Sequence, residues 1–136
     1  MLTNKDITLY NRKYNYQTRL DEWHRTIIKG VSCYMESKTS AGEKGLQKAN
    51  VLKVRIPTNV DVAKYYVDEK EFKQMSDVQG KWTLQNDDII VVGAHSQDIE
   101  KPSDLNINYH TIFTFSDNRR GSLPHWRVGG GNGSKA

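Results

Sequence analysis

The residue types best suited to chemistry in this chain are four histidines, one cysteine, a pair of adjacent aspartates and a run of three glycines. His24, His95, His110 and His125 are scattered, with no paired spacing such as HxxxH on a helix. Zinc wants four ligands, and the only thiol to join them is Cys33. They read as surface or interface histidines. Ser32-Cys33 lies in a strand-like run with no GxSxG elbow around it, so Cys33 reads as an ordinary half-buried thiol. Asp87-Asp88 could be paired carboxylates or metal ligands. Between two apolar runs, however, Asn and Asp commonly serve to shape a turn. Gly129-Gly130-Gly131 lacks the preceding strand and following helix of a phosphate loop, and no GxxxxGK[ST] occurs. The chain therefore reads as non-enzymatic, with no metal and no cofactor.

Binding chemistry is the other possibility. Tyr10-Asn11-Arg12-Lys13-Tyr14-Asn15-Tyr16 interleaves rings with cations, as single-strand nucleic-acid binders do on small barrels. The same residues also suit a protein interface. The formal net charge of +4 is unevenly placed. Residues 1–29 carry +3 and 37–53 carry +3, while 54–116 carry −4 and 117–136 carry +3; Glu36 supplies the remaining −1. A basic excess can mean nucleic acid, but alternating blocks equally suit electrostatic matching between stacked subunits.

The elements that must position these groups are mostly strands. Ile7-Thr8-Leu9-Tyr10 alternates as a half-buried strand should. Residues 11–21 read as a hairpin connection, Trp23–Ile28 as the next strand, and Gly30 as a break before a strand over Val31–Glu36. Val51–Ile56 alternates clearly, with Leu52, Val54 and Ile56 on one face and Lys53 and Arg55 on the other. Pro57 ends it, having no N–H for a ladder. Ser37–Lys48 holds three lysines and almost nothing apolar, and reads as a long loop. Asp68–Met75 is the best helix, with Asp68 placed to cap it and Phe72 and Met75 on one face. GKWTLQNDDIIVVG, Gly80–Gly93, reads as a β-hairpin turning at Gln85–Asp88, its second limb apolar throughout and so covered on both faces. Lys101–Leu105 suggests a helix start at Pro102. Thr111–Phe115 and His125–Val128 are the last strands, and Gly129–Ala136 a flexible tail.

The 136 residues make one domain. Mean hydropathy of −0.75 is low for a thick core. It points to a thin β fold with polar loops, or to a surface covered by partners. The start Met1–Asp6 has no apolar h-region, which predicts no secretory signal. No apolar run reaches the roughly 20 residues of a membrane span. A single cysteine suits a reducing cytosol. Six to eight short strands with turn signals predict a small barrel or sandwich over residues 1–128, with one or two short helices, a long loop and an extended C-terminal tail at 129–136. Its core is expected to include Leu52, Val54, Ile56, Trp82, Ile90 and Val92.

Six segments carry a family resemblance: DITLYNRKYN (6–15), RLDEWHRTIIKGVSCY (19–34), VRIP (54–57), GKWTLQNDDIIVVG (80–93), KPSDL (101–105) and DNRRGSLPHWRVGG (117–130). In this order the chain resembles small structural proteins encoded in the head-to-tail gene modules of tailed phages and prophages of Gram-positive bacteria. Where that family has Gly-Asp before the apolar strand, this chain has Asn86-Asp87-Asp88. The resemblance implies a connector, stopper (head-closure) or tail-completion subunit: a virion protein, assembled in the host bacterial cytoplasm, that forms a homo-oligomeric ring in the neck. Its implied neighbours are portal or adaptor proteins, the tail tube and terminator proteins, with genomic DNA in the channel and no membrane. A tail terminator or other tail component is the nearest alternative; a nucleic-acid-binding small β-barrel is the one from another class. By position and composition, residues 37–48 match the loop that lines or closes the channel in ring stoppers, which would place Lys38, Lys44 and Lys48 toward DNA. The tail, with Arg127, Gly129, Gly130 and Lys135, would then lie along a neighbouring subunit.

Overall fold

The structure is a computed structural model that describes residues 5–42, 45–60, 62–105, 107–120 and 123–132; side chains are described for all of these except 37–42, 45–50 and 132. The elements run β1 (Lys5–Asn15), β2 (Leu20–Gly42), β3 (Gly45–Pro57), β4 (Tyr65–Tyr66), α1 (Glu69–Gln74), β5 (Lys81–Trp82), β6 (Ile89–Val92), β7 (His110–Asn118) and β8 (His125–Asn132), with a single 3-10 turn at Pro102–Asp104. Six strands close into a barrel in the order β1-β2-β3-β8-β7-β6, every neighbour antiparallel. The fold is mainly β as expected, and of the expected barrel or sandwich it is the barrel. Within the closed wall, closure removes the sheet edges that would otherwise invite aggregation.

Period-2 alternation fills the lumen. Ile7 and Leu9 of β1, Leu52, Val54 and Ile56 of β3, Ile90 of β6, Ile112 of β7 and Trp126 and Val128 of β8 are buried in one cluster. Two bulges keep that face apolar where a strict alternation would break it. Gly30 reads as a break in the sequence, yet β2 runs through it: Lys5 pairs with Val31 and Asp6 with Lys29. Gly30 itself has φ +81° and donates its N–H to Asp6 Oδ1 at 3.2 Å. The extra residue shifts the parity of β2, so Ile28, Val31 and Cys33 all point inward. On β7, Phe113 is the extra residue between Ile112 (opposite Gly130) and Thr114 (opposite Gly129), and it stands 53% exposed.

Part of the connection between β3 and β6 packs into the barrel core. Trp82 and Leu84 enter the core, and Val60, Val62 and Tyr66 pack against it. Tyr66, Trp82 and Trp126 meet with ring centroids 4.7–5.2 Å apart, in the tilted and edge-to-face arrangements aromatic pairs favour. The Arg119 guanidinium lies over Tyr66 and Trp126, 5.1 and 5.4 Å from the ring centroids, and Asp117 anchors it. On the opposite wall Tyr10, Ile89 and Val91 face outward beneath Ile99, Leu105 and Tyr109. This second cluster explains why β6 is apolar on both faces.

Further expectations are corrected. Gly80–Gly93 is not a hairpin: β5 pairs in parallel with β4, while β6 pairs with β1 and β7. Val92, at the end of β6, is 39% exposed and lies at the rim, outside the core that takes the other five expected residues. Gly129 and Gly130 are not tail; they are buried in β8 and pair with both β3 and β7. A Cβ on Gly129 would meet Thr114 Cγ2 at 2.7 Å, so glycine is what allows β7 to come this close. Residues 37–42 and 45–48 are ladder-paired strand, not an open loop. The 68–75 helix is present as α1 with Phe72 buried, but Asp68 makes no side-chain cap hydrogen bond.

Candidate functional site

Asp88 is 1% exposed, an unusual place for a carboxylate. Asp87 adopts φ +74°, the left-handed conformation Asp tolerates, and this turns the chain so that Asp88 points back at β1. Asn11 Nδ2 and Gln85 Nε2 each donate to Asp88 Oδ2 at 2.8 Å, and the Arg12 N–H donates to Oδ1 at 3.1 Å. Asn11 also donates to the Thr83 carbonyl at 2.8 Å and accepts from the Thr83 N–H at 3.2 Å. Desolvation pushes the Asp88 carboxyl up to about 6, against those three donors, so it is ionised at neutral pH. A lone acid so enclosed fixes geometry; it clamps the 83–88 turn to β1.

The clamp forms the floor of a cleft of about 320 Å³. Arg12, Lys13 and Lys73 supply cations, and Tyr14 and Tyr16 supply rings packed edge to face with centroids 4.8 Å apart. Tyr14 is 43% and Tyr16 81% exposed. Lys13 Nζ donates to the Lys73 carbonyl at 3.0 Å, which ties β1 to the end of α1. Arg12, Lys13, Tyr14 and Tyr16 of the interleaved run thus meet in one cleft, while Tyr10 lies buried in the outer cluster. Lys73 is brought in by α1, and no local pattern in the sequence signals its place here.

A second feature is the β2–β3 ribbon. β1 covers β2 only from Leu20 to Val31, and β8 covers β3 only from Leu52 to Pro57. From Ser37↔Asn50 to Gly42↔Gly45 the two strands pair, among the described residues, only with each other. Six residues per strand at about 3.3 Å each give a ribbon roughly 20 Å long. Lys38 and Lys48 lie on its backbone opposite Ala49 and Thr39, but their side chains, and all of Lys44, lie outside the described residues. Lys135 does as well.

The third feature is the outer face of β3 and β8. Lys53, Arg55 and Arg127 all face outward there, with Arg55 directly opposite Arg127. Lys53 is opposite Tyr34, which is 47% exposed. The Phe113 ring lies over Gly129 and Gly131.

The histidines do not converge. His110 and His125 sit at opposite ends of the β7–β8 ladder, His95 Nε2 faces Gln97 Oε1 at 3.2 Å, and His24 is on β2, its imidazole held below the usual histidine range by burial. Among the described residues no group of three or more His, Cys, Asp or Glu is placed to hold a metal. Burial raises the Cys33 thiol, making it a poor nucleophile.

Fold and surface together define a closed six-stranded β-barrel with a projecting ribbon, a basic outer wall and a cation-and-tyrosine cleft. The chain belongs to the Family of unknown function (DUF6751), whose model matches residues 2–131. No curated protein and no solved structure matches it.

Proposed function

We propose that this protein is a structural ring subunit of the head–tail interface of tailed phages, a connector, stopper or tail-completion protein of the virion and not an enzyme. One observation carries the reading: the ribbon of residues 37–42 and 45–50, which pairs with no other strand of its own barrel. An isolated two-stranded ribbon is marginal in water, and contacts from a neighbour would stabilise it. The segments behind the phage resemblance support the reading further. DITLYNRKYN forms most of β1, RLDEWHRTIIKGVSCY spans the barrel-bound part of β2, and DNRRGSLPHWRVGG runs from the end of β7 into β8. They build the barrel wall and its rims. The lumen is packed with side chains, so DNA would pass through a ring of subunits and not through one barrel. A tail-side position such as terminator would use the same ribbon against a different neighbour.

Gold-labelled antibody against this chain, applied to tailed particles that encode it, tests the proposal. Label at the head–tail junction is expected. Particles without label, or with label on capsid or tail tip, would rule the reading out.

The Arg12–Lys13–Tyr14–Tyr16–Lys73 cleft favours a second reading, a nucleic-acid-binding barrel. Genuine phosphate contacts lose affinity steeply with salt. Anisotropy of a labelled oligonucleotide should then fall steeply between low and moderate salt, and Tyr16→Ala should weaken binding. Binding unchanged by both would remove it.

A further inference from the structure

The basic wall and the groove on the other side of the barrel are chemically complementary. Arg55 and Arg127 are cross-strand partners, and like charges in that position destabilise a sheet. Lys53 adds a third cation one pleat along, and among the described residues no carboxylate forms an ion pair with any of the three. Glu36, one pleat along β2 from Tyr34, forms none with any described residue. Among the described residues the wall's charge is uncompensated, and it lies beside two half-exposed rings, Tyr34 and Phe113. Arg, Tyr and Phe are the residues enriched at the centre of protein interfaces.

In the barrel order β1 and β6 stand opposite β3 and β8. There Ile99, Leu105 and Tyr109 cover Tyr10, Ile89 and Val91, and a groove of about 740 Å³ opens between the Ile99–Pro102 stretch and the start of β2. Trp23, Ile99 and Pro102 give it an apolar lining, while Asp21, Glu22 and Glu100 outnumber its one lysine, Lys101.

We infer that the β3–β8 wall of one copy, through Lys53, Arg55 and Arg127 with Tyr34, docks on the Asp21–Glu22–Glu100 groove of a second copy of this chain. The two faces differ, so the contact is head-to-tail, the kind that closes into a ring when the rotation permits. This inference rests on the ring reading and names the faces that would build it.

The test uses two full-length variants in sedimentation velocity across a concentration series at low salt. Arg55→Glu/Arg127→Glu makes the wall acidic; Glu22→Lys/Glu100→Lys makes the groove basic. Wild-type protein is expected to self-associate, and each variant alone to do so more weakly by roughly tenfold or more. An equimolar mixture should recover association, because each variant's wall then fits the other's groove. Should either double variant melt below the wild type, Arg127→Glu and Glu100→Lys, both at exposed positions, make the same comparison. A wild type that stays monomeric throughout, or a mixture that recovers nothing, overturns the inference. So does loss of DNA-duplex binding in the wall variant with unchanged self-association, which would make the wall a polyanion site. Oligomers that persist in both variants overturn these faces while leaving the ring reading standing. Recovery in the mixture, with no label at a phage neck, would sink the phage assignment and keep the interface.

Discussion

Asn11 Nδ2 on β1 donates to Asp88 Oδ2 at 2.8 Å across 77 positions of sequence, both groups fully enclosed. Gln85 and the Arg12 N–H reach the same carboxylate, and Asn11 also bridges to Thr83, so that together they clamp the 83–88 turn to β1. Leaving a buried carboxylate short of a donor costs roughly 1–3 kcal/mol or more. Asn11→Leu should therefore lower stability to urea by at least that much, whereas Asn86→Ala, at an exposed position of the same turn, should change it little. Equal midpoints for the two variants would contradict the clamp.

The Asp88 carboxyl should titrate near 6, pushed there by burial. Its folded value lies above the ordinary carboxylate range, so the folded chain holds this proton more tightly than the unfolded one. The stability it contributes is full below about pH 4 and is lost as pH rises through about 6. Carboxyl 13C NMR reads this directly. A midpoint below 4 would mean that the donors outweigh desolvation.

Val54 and Val92 separate core from rim. Val54 is fully buried and Val92 is 39% exposed. Val54→Asp buries an unpaired charge and should cost several kcal/mol, or prevent folding, while Val92→Asp should cost about 1 kcal/mol or less. Similar melting temperatures for the two would show β6 to be misplaced.

What could be read from the sequence follows local periodicity. Leu52, Val54 and Ile56 alternate with Lys53 and Arg55, so their faces were legible without any fold. Phe72 was legible as the buried side of a short helix. The Gly80–Gly93 limbs were not, because their partners lie at Ile7–Tyr10, Tyr65–Tyr66 and His110–Thr111, and no local pattern encodes those pairings. Gly129-Gly130 looked like linker for a related reason. Glycine placed for close strand approach and glycine in a flexible tail have the same composition. In sequence Asp88 looks like a turn former, as its neighbour does; Asn11 and Gln85, which tell the two aspartates apart, come within reach only once the turn folds back on β1.

Gly129→Ala should destabilise the barrel by about 1–3 kcal/mol, as overpacking does. The added Cβ would lie 2.7 Å from Thr114 Cγ2 and 3.4 Å from Phe113 Cζ. Thr114→Ser removes that methyl and should recover part of the loss in the double variant. A Gly129→Ala melt matching wild type would show that β7 and β8 have room to spare. Truncation after Val128 strips β8 of its pairing with Leu52 and Lys53 and should lower the melting temperature, instead of leaving the fold intact as a free tail would.

Cryo-electron microscopy of the neck of tailed particles that encode this chain is the most direct measurement of its proposed role. The account predicts a ring of these barrels between portal and tail tube, each with its β2–β3 ribbon seated on a neighbour. A neck reconstructed to side-chain detail that contains no such barrel, or contains it with the ribbon facing only solvent, would contradict it.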